Sequence, residues 1–581
     1  MKFIKFFVLL VSLVSMGSCE SLIEEKIYSK TPENFFLTEA DAVSSITAVY
    51  AQFLGYNAFS DYYWRVLESA SGAVTNPRPL TDLGTILKKT NTSTNAATTD
   101  MWDAMYYAIR LSNNVIENVP KMNINLDVRN SVYGEALFLR SMHYFNLVRM
   151  FGAVPVRLTS KPVFGDKGER KPESEVYAQI INDLTLAAKL LPTTQGLKGR
   201  ATKGSAYGLL AKVYLTAASM KKYSGNRGGN FDFVPEQAYY DSTIVNCKRV
   251  TGLGYKLVDD FMKQFSMQFT IDGIATPAGF KNSTESLFEI QFASSMRFGS
   301  QLPMQLLPAP QAQMAKDENG VYKAIPNAPT TRGAGYTYND AGWGEFRMTQ
   351  SIFNNFYNAH HDTDTTKMNP LDRQNDYRMD VTFLGGSKGI VKSYLKGVLQ
   401  PKDTMFTYPY SPRPAPDAAQ RWPYLAKYQD YTATASAQHG TNFVYLRYAD
   451  VLLMQAEAEN EKGDNANATK HLNMLMERAR KADGKPRLVP NDFSAGLSQD
   501  SLRKTIWNER NYELLGEAHL WYDLVRTGEY KSFLKQYNEQ EYPLNTTIFY
   551  LMDVDDRNLL FPIPYKERSI NNAVTQNPGH N

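Results

Sequence analysis

Residues 447–482 read RYADVLLMQAEAENEKGDNANATKHLNMLMERARKA. Ala449, Leu452, Leu453 and Ala456 fall at i, i+3, i+4 and i+7, one stripe of an α-helix. Gly463-Asp464 breaks the pattern, and a second helical run, Ala468–Ala482, begins within a few residues. Helix, short polar turn and second helix, with alanines at the contacts, resemble a tetratricopeptide unit, whose period is about 34 residues. The consensus is loose, so the expectation is an array of helical hairpins rather than a strict repeat.

The pattern recurs upstream. GEALFLRSMHYFNLVRMFGAVPV, 134–156, puts Leu137, Ser141, Tyr144 and Val148 on one face and ends in the stop signals Gly152 and Pro155. KGSAYGLLAKVYLTAAS, 203–219, repeats the spacing with Ala206, Leu210, Val213 and Ala217, small residues that let helices approach closely. Two helical regions, 31–295 and 443–581, thus flank residues 296–442, where periodicity gives way to segments such as YPYSPRPAPDAAQRWPY, 408–424. So long a stretch without periodicity carries function or lacks order, and its many rings argue against disorder. The predicted fold class is mainly all-α: tetratricopeptide-like hairpins as scaffold, a loop-rich ligand-binding side with minor short strands, and one globular unit.

The chain opens MKFIKFFVLLVSLV, a charged and then apolar segment of export-signal type. It is shorter than the roughly 20 apolar residues that span a bilayer. Met16-Gly17-Ser18-Cys19 follows and resembles a lipobox, with Met16 where leucine is usual; an ordinary secretory signal is the alternative. The lipobox reading makes 1–18 a signal peptide, Cys19 the acylated first residue and 19–30 a flexible tether. Several acyl chains, at about 0.8 kcal/mol per buried CH₂, anchor a protein firmly without any transmembrane element. The acids Glu20, Glu24 and Glu25 resemble, in sparser form, an acidic run that directs lipoproteins to the outer face of the outer membrane.

With Cys19 lipidated, Cys247 is left alone, so neither an intramolecular disulfide nor a cysteine-rich metal site can form. The net charge is +4 with dispersed Lys and Arg, which gives no electrostatic footprint for nucleic acid. The chain carries 36 tyrosines; rings with polar tips serve packing, and they also serve surfaces for sugars.

The most enzyme-like segment is IWNERNYELLGEAHLWYDLVRTGEY, 506–530, where Glu509, Glu513 and Glu517 recur at i+4. On one helix their Cβ atoms would lie about 5–6 Å apart, near the carboxylate separation of a retaining glycosidase. Buried ion pairs with neighbouring helices, Leu514, Ala518, Trp521 and Val525 forming a core face, are the competing reading and the preferred one. HHDTDTT, 360–366, is the best metal candidate, but it lacks the glycine and terminal glutamate of a calcium loop and reads as a solvated polar loop. No GxxxxGK[ST] or post-strand GxGxxG is present. No catalytic residue and no cofactor is expected; a calcium ion ordering the central loops is left open.

Two loops remain. RGAGYTYNDAGWGEF, 332–346, sets Tyr336, Tyr338 and Trp343 among glycines and Asn339-Asp340, a composition of exposed, shaped loops. A ring there could stack on a sugar face, or Trp343 could pin the loop to the scaffold. ASGAVTNPRPL, 70–80, offers Asn76 and Arg78, the latter either a fork for hydroxyl or carboxylate oxygens or a plain surface charge. Trp102, Trp507 and Trp521 sit in helical patterns and are assigned to packing.

Together with the terminus LLFPIPYKERSINNAVTQNPGHN and the helix ERNYELLGEAHLWYDLVRTG, these segments resemble the SusD-like (SusD/RagB) outer-membrane lipoproteins of Bacteroidetes along essentially the whole mature chain. The resemblance implies a non-catalytic cell-surface protein that binds an oligosaccharide and hands it to a SusC-like TonB-dependent transporter, over which it sits as a lid. It also implies that the loops carrying Asn76 and Arg78 and carrying Tyr336, Tyr338 and Trp343 line the glycan site. A surface glycoside hydrolase using two of the three glutamates and a protein-only helical adaptor are the rival readings.

Overall fold

The computed structural model describes residues 35–76, 81–165, 167–223, 236–265, 281–295, 297–306, 345–360, 376–383, 423–428, 439–482, 485–541, 551–552 and 555–581, and the backbone of strand segments 270–271, 274–275, 313–316, 322–324, 390–395 and 398–406. Residues 1–30, the expected signal segment, Cys19 and tether, lie outside the described residues, as do Arg78, Tyr336, Tyr338 and Trp343.

The first half is a helical series: α1 Glu39–Tyr50, α2 Tyr62–Ser71, α3 Thr81–Leu87, α4 Ala96–Asn118, α5 Leu126–Phe151, α6 Glu173–Leu190, α7 Lys203–Tyr223 and α8 Glu236–Gly252. Short α9 Leu302–Leu306, α10 Gln350–Ala359 and α11 Tyr377–Thr382 lead to α12 Tyr448–Glu461, α13 Asn465–Ala479, α14 Gln499–Glu513, α15 Leu520–Arg526, α16 Tyr530–Gln540 and α17 Tyr565–Ile570. Successive helices from α4 to α8 pack on one another, α12 packs on α8, α13 and α14, and one continuous apolar core runs through both halves.

Local chemistry sets the breaks. The α12–α13 turn falls where Gly463 adopts φ +83°, and Asp464 caps α13 by accepting from the Asn467 N–H at 3.2 Å. α5 starts with the Asn125 side chain accepting from the N–H groups of Asp127 and Val128, and it stops at Gly152, φ +70°. The single-face reading of α5 understates its burial: every residue from Gly134 to Phe151 is inside. The polar ones are engaged internally, with Arg140 clamping Asp183 through two hydrogen bonds of 2.8 Å and Arg149 lying 3.6 Å over the Tyr522 ring. On α7, Gly208 admits the strand pair of Ser286–Ile290 and Phe443–Arg447, since a Cβ there would lie 2.5 Å from Leu287.

Minor strands complete the fold. Ile390–Leu395, Val398–Phe406, Gln313–Lys316 and Tyr322–Ala324 form, in that order, a four-stranded antiparallel sheet, and the other sheets have two strands each. Among the described residues no helix is long and apolar enough to cross a membrane.

Candidate functional site

The two-residue strand Val74–Thr75 pairs antiparallel with Arg347–Met348, with Val74 opposite Met348 and Thr75 opposite Arg347. Asn76 and Phe346 are the next residues beyond the paired ones on the two chains. The chain leaving Thr75 toward Arg78 and the chain arriving at Glu345 from Trp343 therefore meet the scaffold at the same end of one ladder. Met348 also donates its N–H to Pro423 O at 2.8 Å, and Arg347 lies 5.2 Å over the Tyr424 ring, which adds the end of the proline-rich stretch to this corner. Asn76 is fully buried, so it belongs to the base of the loop.

Arg65 on α2 organises the surroundings. Its guanidinium is buried and donates to Asp61 Oδ2 at 2.5 Å, to the Tyr56 hydroxyl at 2.9 Å and to Glu345 Oε2 at 3.3 Å. It sits 5.2 Å over Phe346 and 5.9 Å over Tyr62. Tyr56 and Tyr62 are half-buried and packed with ring centroids 4.7 Å apart at 58°. Burial, opposed by Arg65, lifts the Asp61 carboxyl to about 6. A tilted ring pair, an anchored phenol, and a guanidinium tying the helix to Glu345 form a surface that can stack on a flat, hydroxylated ligand. Sequence reasoning missed Tyr56, Tyr62, Arg65 and Glu345. Their only local signal was the ring-dense stretch GYNAFSDYYWR, 55–65, beside a glycine and an asparagine.

The three glutamates have another fate. α14 ends at Glu513, and Gly516 at φ +78° and Ala518 at φ +61° turn the chain before α15. One helix through Glu517 is thus corrected to two, because the left-handed turn interrupts the i+4 line. All three carboxylates are buried. Glu509 accepts from Arg378 at 2.9 Å and meets His360 Nε2 at 2.5 Å. Glu513 accepts from Arg447 at 2.6 Å, from Arg378 at 3.2 Å and from Arg478, and Glu517 accepts from Arg447 and Lys427, each at 2.8 Å. Burial alone would raise these carboxyls; the surrounding cations overcome it and hold all three below the ordinary range. A general acid needs a raised pKa and an open approach, and here the acids are the anionic half of a buried network. Their Leu514, Ala518, Trp521 and Val525 neighbours are core, as the preferred reading had it.

His360, the described member of the candidate metal run, is spent on Glu509; 361–366 lie outside the described residues. Among the described residues no group of three His, Cys, Asp or Glu could hold a metal ion. Trp102 and Trp521 are buried in the core, while Trp507 is half-exposed and packs edge-on against Tyr223.

A mainly helical hairpin scaffold, with a long-range strand pair joining Val74–Thr75 to Arg347–Met348, defines the class of protein. The chain belongs to the SusD family: the model of that family matches residues 284–580, just over half of the sequence. A second model, described as starch-binding associating with outer membrane, matches 24–215. SusD-like protein P2 of Formosa agariphila is 29% identical, with 99% of each chain covered, and SusD-like protein P25 of the same organism is 23% identical over 98% of this chain and 97% of its own. Solved structures with the same fold include a SusD homologue from Bacteroides thetaiotaomicron (TM-score 0.69, 22% identity, 95% of this chain and 99% of that one). A laminarin-binding SusD-like protein also shares it (TM-score 0.61, 20% identity, 94% and 100%).

Proposed function

We propose that this protein is a non-catalytic lipoprotein, held at the outer membrane by acylated Cys19 and facing the cell exterior. It binds an oligosaccharide or polysaccharide and delivers it to a SusC-like TonB-dependent transporter. The observation that carries the reading is the Val74–Thr75/Arg347–Met348 ladder, which ties the bases of the two sequence-nominated loops to one corner beside the Tyr56–Tyr62 pair. On this reading Tyr336, Tyr338 and Trp343 supply stacking faces, Arg78 takes hydroxyl oxygens, and buried Asn76 holds the loop base. Membership of the SusD family supports it, as does the engagement of Glu509, Glu513 and Glu517 with cations.

Starch, in the matched family description, and laminarin, in the name of one structural relative, are both glucose polymers, so α- and β-glucans head the test panel. Isothermal titration of the mature chain against starch, laminarin, xylan and mannan is expected to give one clear binder and no product release. Binding of a peptide in place of every glycan would sink the saccharide claim, and shortened oligosaccharides lost on Glu509→Gln would sink the non-catalytic one.

A further inference from the structure

The face of α14 turned away from the buried glutamates carries Lys504, Trp507, Asn508 and Asn511, spaced i, i+3, i+4 and i+7. Across a groove of about 310 Å³, α16 and the residue before it present Glu529, Ser532, Phe533 and Gln536 at the same spacing. Each stripe has one half-exposed ring at its centre, with Asn508 and Asn511 beside Trp507 and with Ser532 and Gln536 beside Phe533. Asn508, Asn511 and Gln536 make no side-chain hydrogen bond among the described residues, so their donors and acceptors are available.

The floor is charged but balanced. Arg510 pairs with Asp523 at 3.1 Å and with Asp450 at 3.0 Å, Arg526 pairs with Asp523 at 2.7 Å and with Glu457, and Lys212 pairs with Asp450 at 2.9 Å, three cations against three carboxylates. These guanidiniums are committed to carboxylates, so the floor offers no unmatched positive charge to a phosphate or carboxylate ligand. On the rim, Lys504 and Glu529 offset each other. The groove therefore presents two rings and three free amides over a neutralised base, which is the chemistry that recognises a neutral pyranose: apolar C–H faces on the rings, hydroxyls on the amides. Its volume is at the small end of ligand sites, which run from about 300 to 1,000 Å³.

We infer that the α14–α16 groove is a second saccharide subsite, taking one or two neutral sugar units and separate from the corner built on Arg65 and Glu345. The inference rests on the saccharide reading above and adds a place on the scaffold. Two subsites on one lipoprotein let it retain a long polymer at one while the other exchanges.

Methyl glycosides of glucose, galactose, mannose and xylose, followed by saturation-transfer NMR and tryptophan fluorescence on the mature chain, test it. At least one is expected to bind, with affinity at least tenfold weaker in Trp507→Ala and Phe533→Ala. Asn511→Ala, a surface change that spares the core, should weaken it about threefold with an unchanged melting temperature, and Tyr62→Ala should leave it intact. If no methyl glycoside binds in a Trp507-dependent way, or if Tyr62→Ala abolishes the same binding, the second subsite is wrong. Polysaccharide binding that depends on Tyr62 and not on Trp507 would leave the general reading standing and remove only this one. Trp507-dependent glycoside binding without any polysaccharide binding would do the reverse.

Discussion

Arg447, one residue ahead of α12, and Glu513, the last residue of α14, meet with Nη1 and Oε1 2.6 Å apart and both side chains buried. The same guanidinium reaches Glu285 at 2.7 Å and Glu517 at 2.8 Å, so one cation joins a strand-leading segment, a helix end and a turn. Removing one partner of a buried network leaves uncompensated charge and costs about 3–5 kcal/mol. Arg447→Met should therefore lower stability by that order in urea unfolding. Arg447→Lys should recover only part, since a compact ammonium cannot fork across three carboxylates. A loss below about 0.5 kcal/mol, the ordinary surface range, would show that the network stabilises nothing.

The turn that delivers Glu517 depends on Gly516. Its φ is +78°, and a Cβ there would lie 2.6 Å from both methyls of Leu425. Its carbonyl also accepts the Trp64 indole N–H at 2.7 Å. Gly463 has a similar φ, +83°, but open space around it. Gly463→Ala should cost only the backbone part, about 1–2 kcal/mol, whereas Gly516→Ala adds overpacking of about 1–3 kcal/mol. Equal thermal shifts in the two variants would refute the crowding argument.

Those two glycines also mark how far the sequence could be read. Gly463-Asp464 stood between two periodic runs and announced a hairpin. Gly516 stood inside a run of glutamates whose i+4 spacing continued across it, so periodicity masked the turn. The all-α scaffold was legible because helical amphipathicity is local. The Val74–Met348 pairing is not, since two-residue strands more than 270 positions apart carry no periodic signal. The candidate loops were named from composition, but Tyr56 and Tyr62 became a surface feature only once Arg65 and Glu345 were seen to frame them.

Glu68 gives a pH test of burial. It is buried, accepts the Ala518 N–H at 3.0 Å, and burial pushes its carboxyl up to about 7 from an ordinary 4.5. Because the folded state holds this proton more tightly than the unfolded one, the contribution is fully present below pH 4.5 and is lost as pH rises through 7. Glu68→Gln cannot ionise and keeps an acceptor for Ala518. It should match the parent near pH 4.5 and be more stable at pH 8 by up to ~3 kcal/mol. A stability difference independent of pH would disprove the assignment.

The tether is tested by fractionation. Cys19→Ala, expressed without any transporter, should move from the membrane to the soluble fraction, because no lipid chain remains to supply the anchoring burial. Persistent membrane association would rule out lipidation at Cys19 as the anchor.

The corner on α2 makes the sharpest binding prediction. If the tilted Tyr56–Tyr62 pair contacts the glycan, its affinity lies in ring faces and not in the phenol of Tyr62, for which no hydrogen bond to Arg65 is made. Tyr62→Phe should then bind within about twofold of the parent, and Tyr62→Ala should lose about 1–2 kcal/mol, roughly 5–30-fold in Kd. Tyr56→Phe should differ, since the Tyr56 hydroxyl accepts from Arg65 at 2.9 Å and its loss frees a guanidinium donor beside Asp61 and Glu345. Titration calorimetry on the glycan that binds the parent reads all three. Full affinity in Tyr62→Ala would assign the ring pair to packing and leave recognition to the loops that rise from the Thr75–Arg347 ladder.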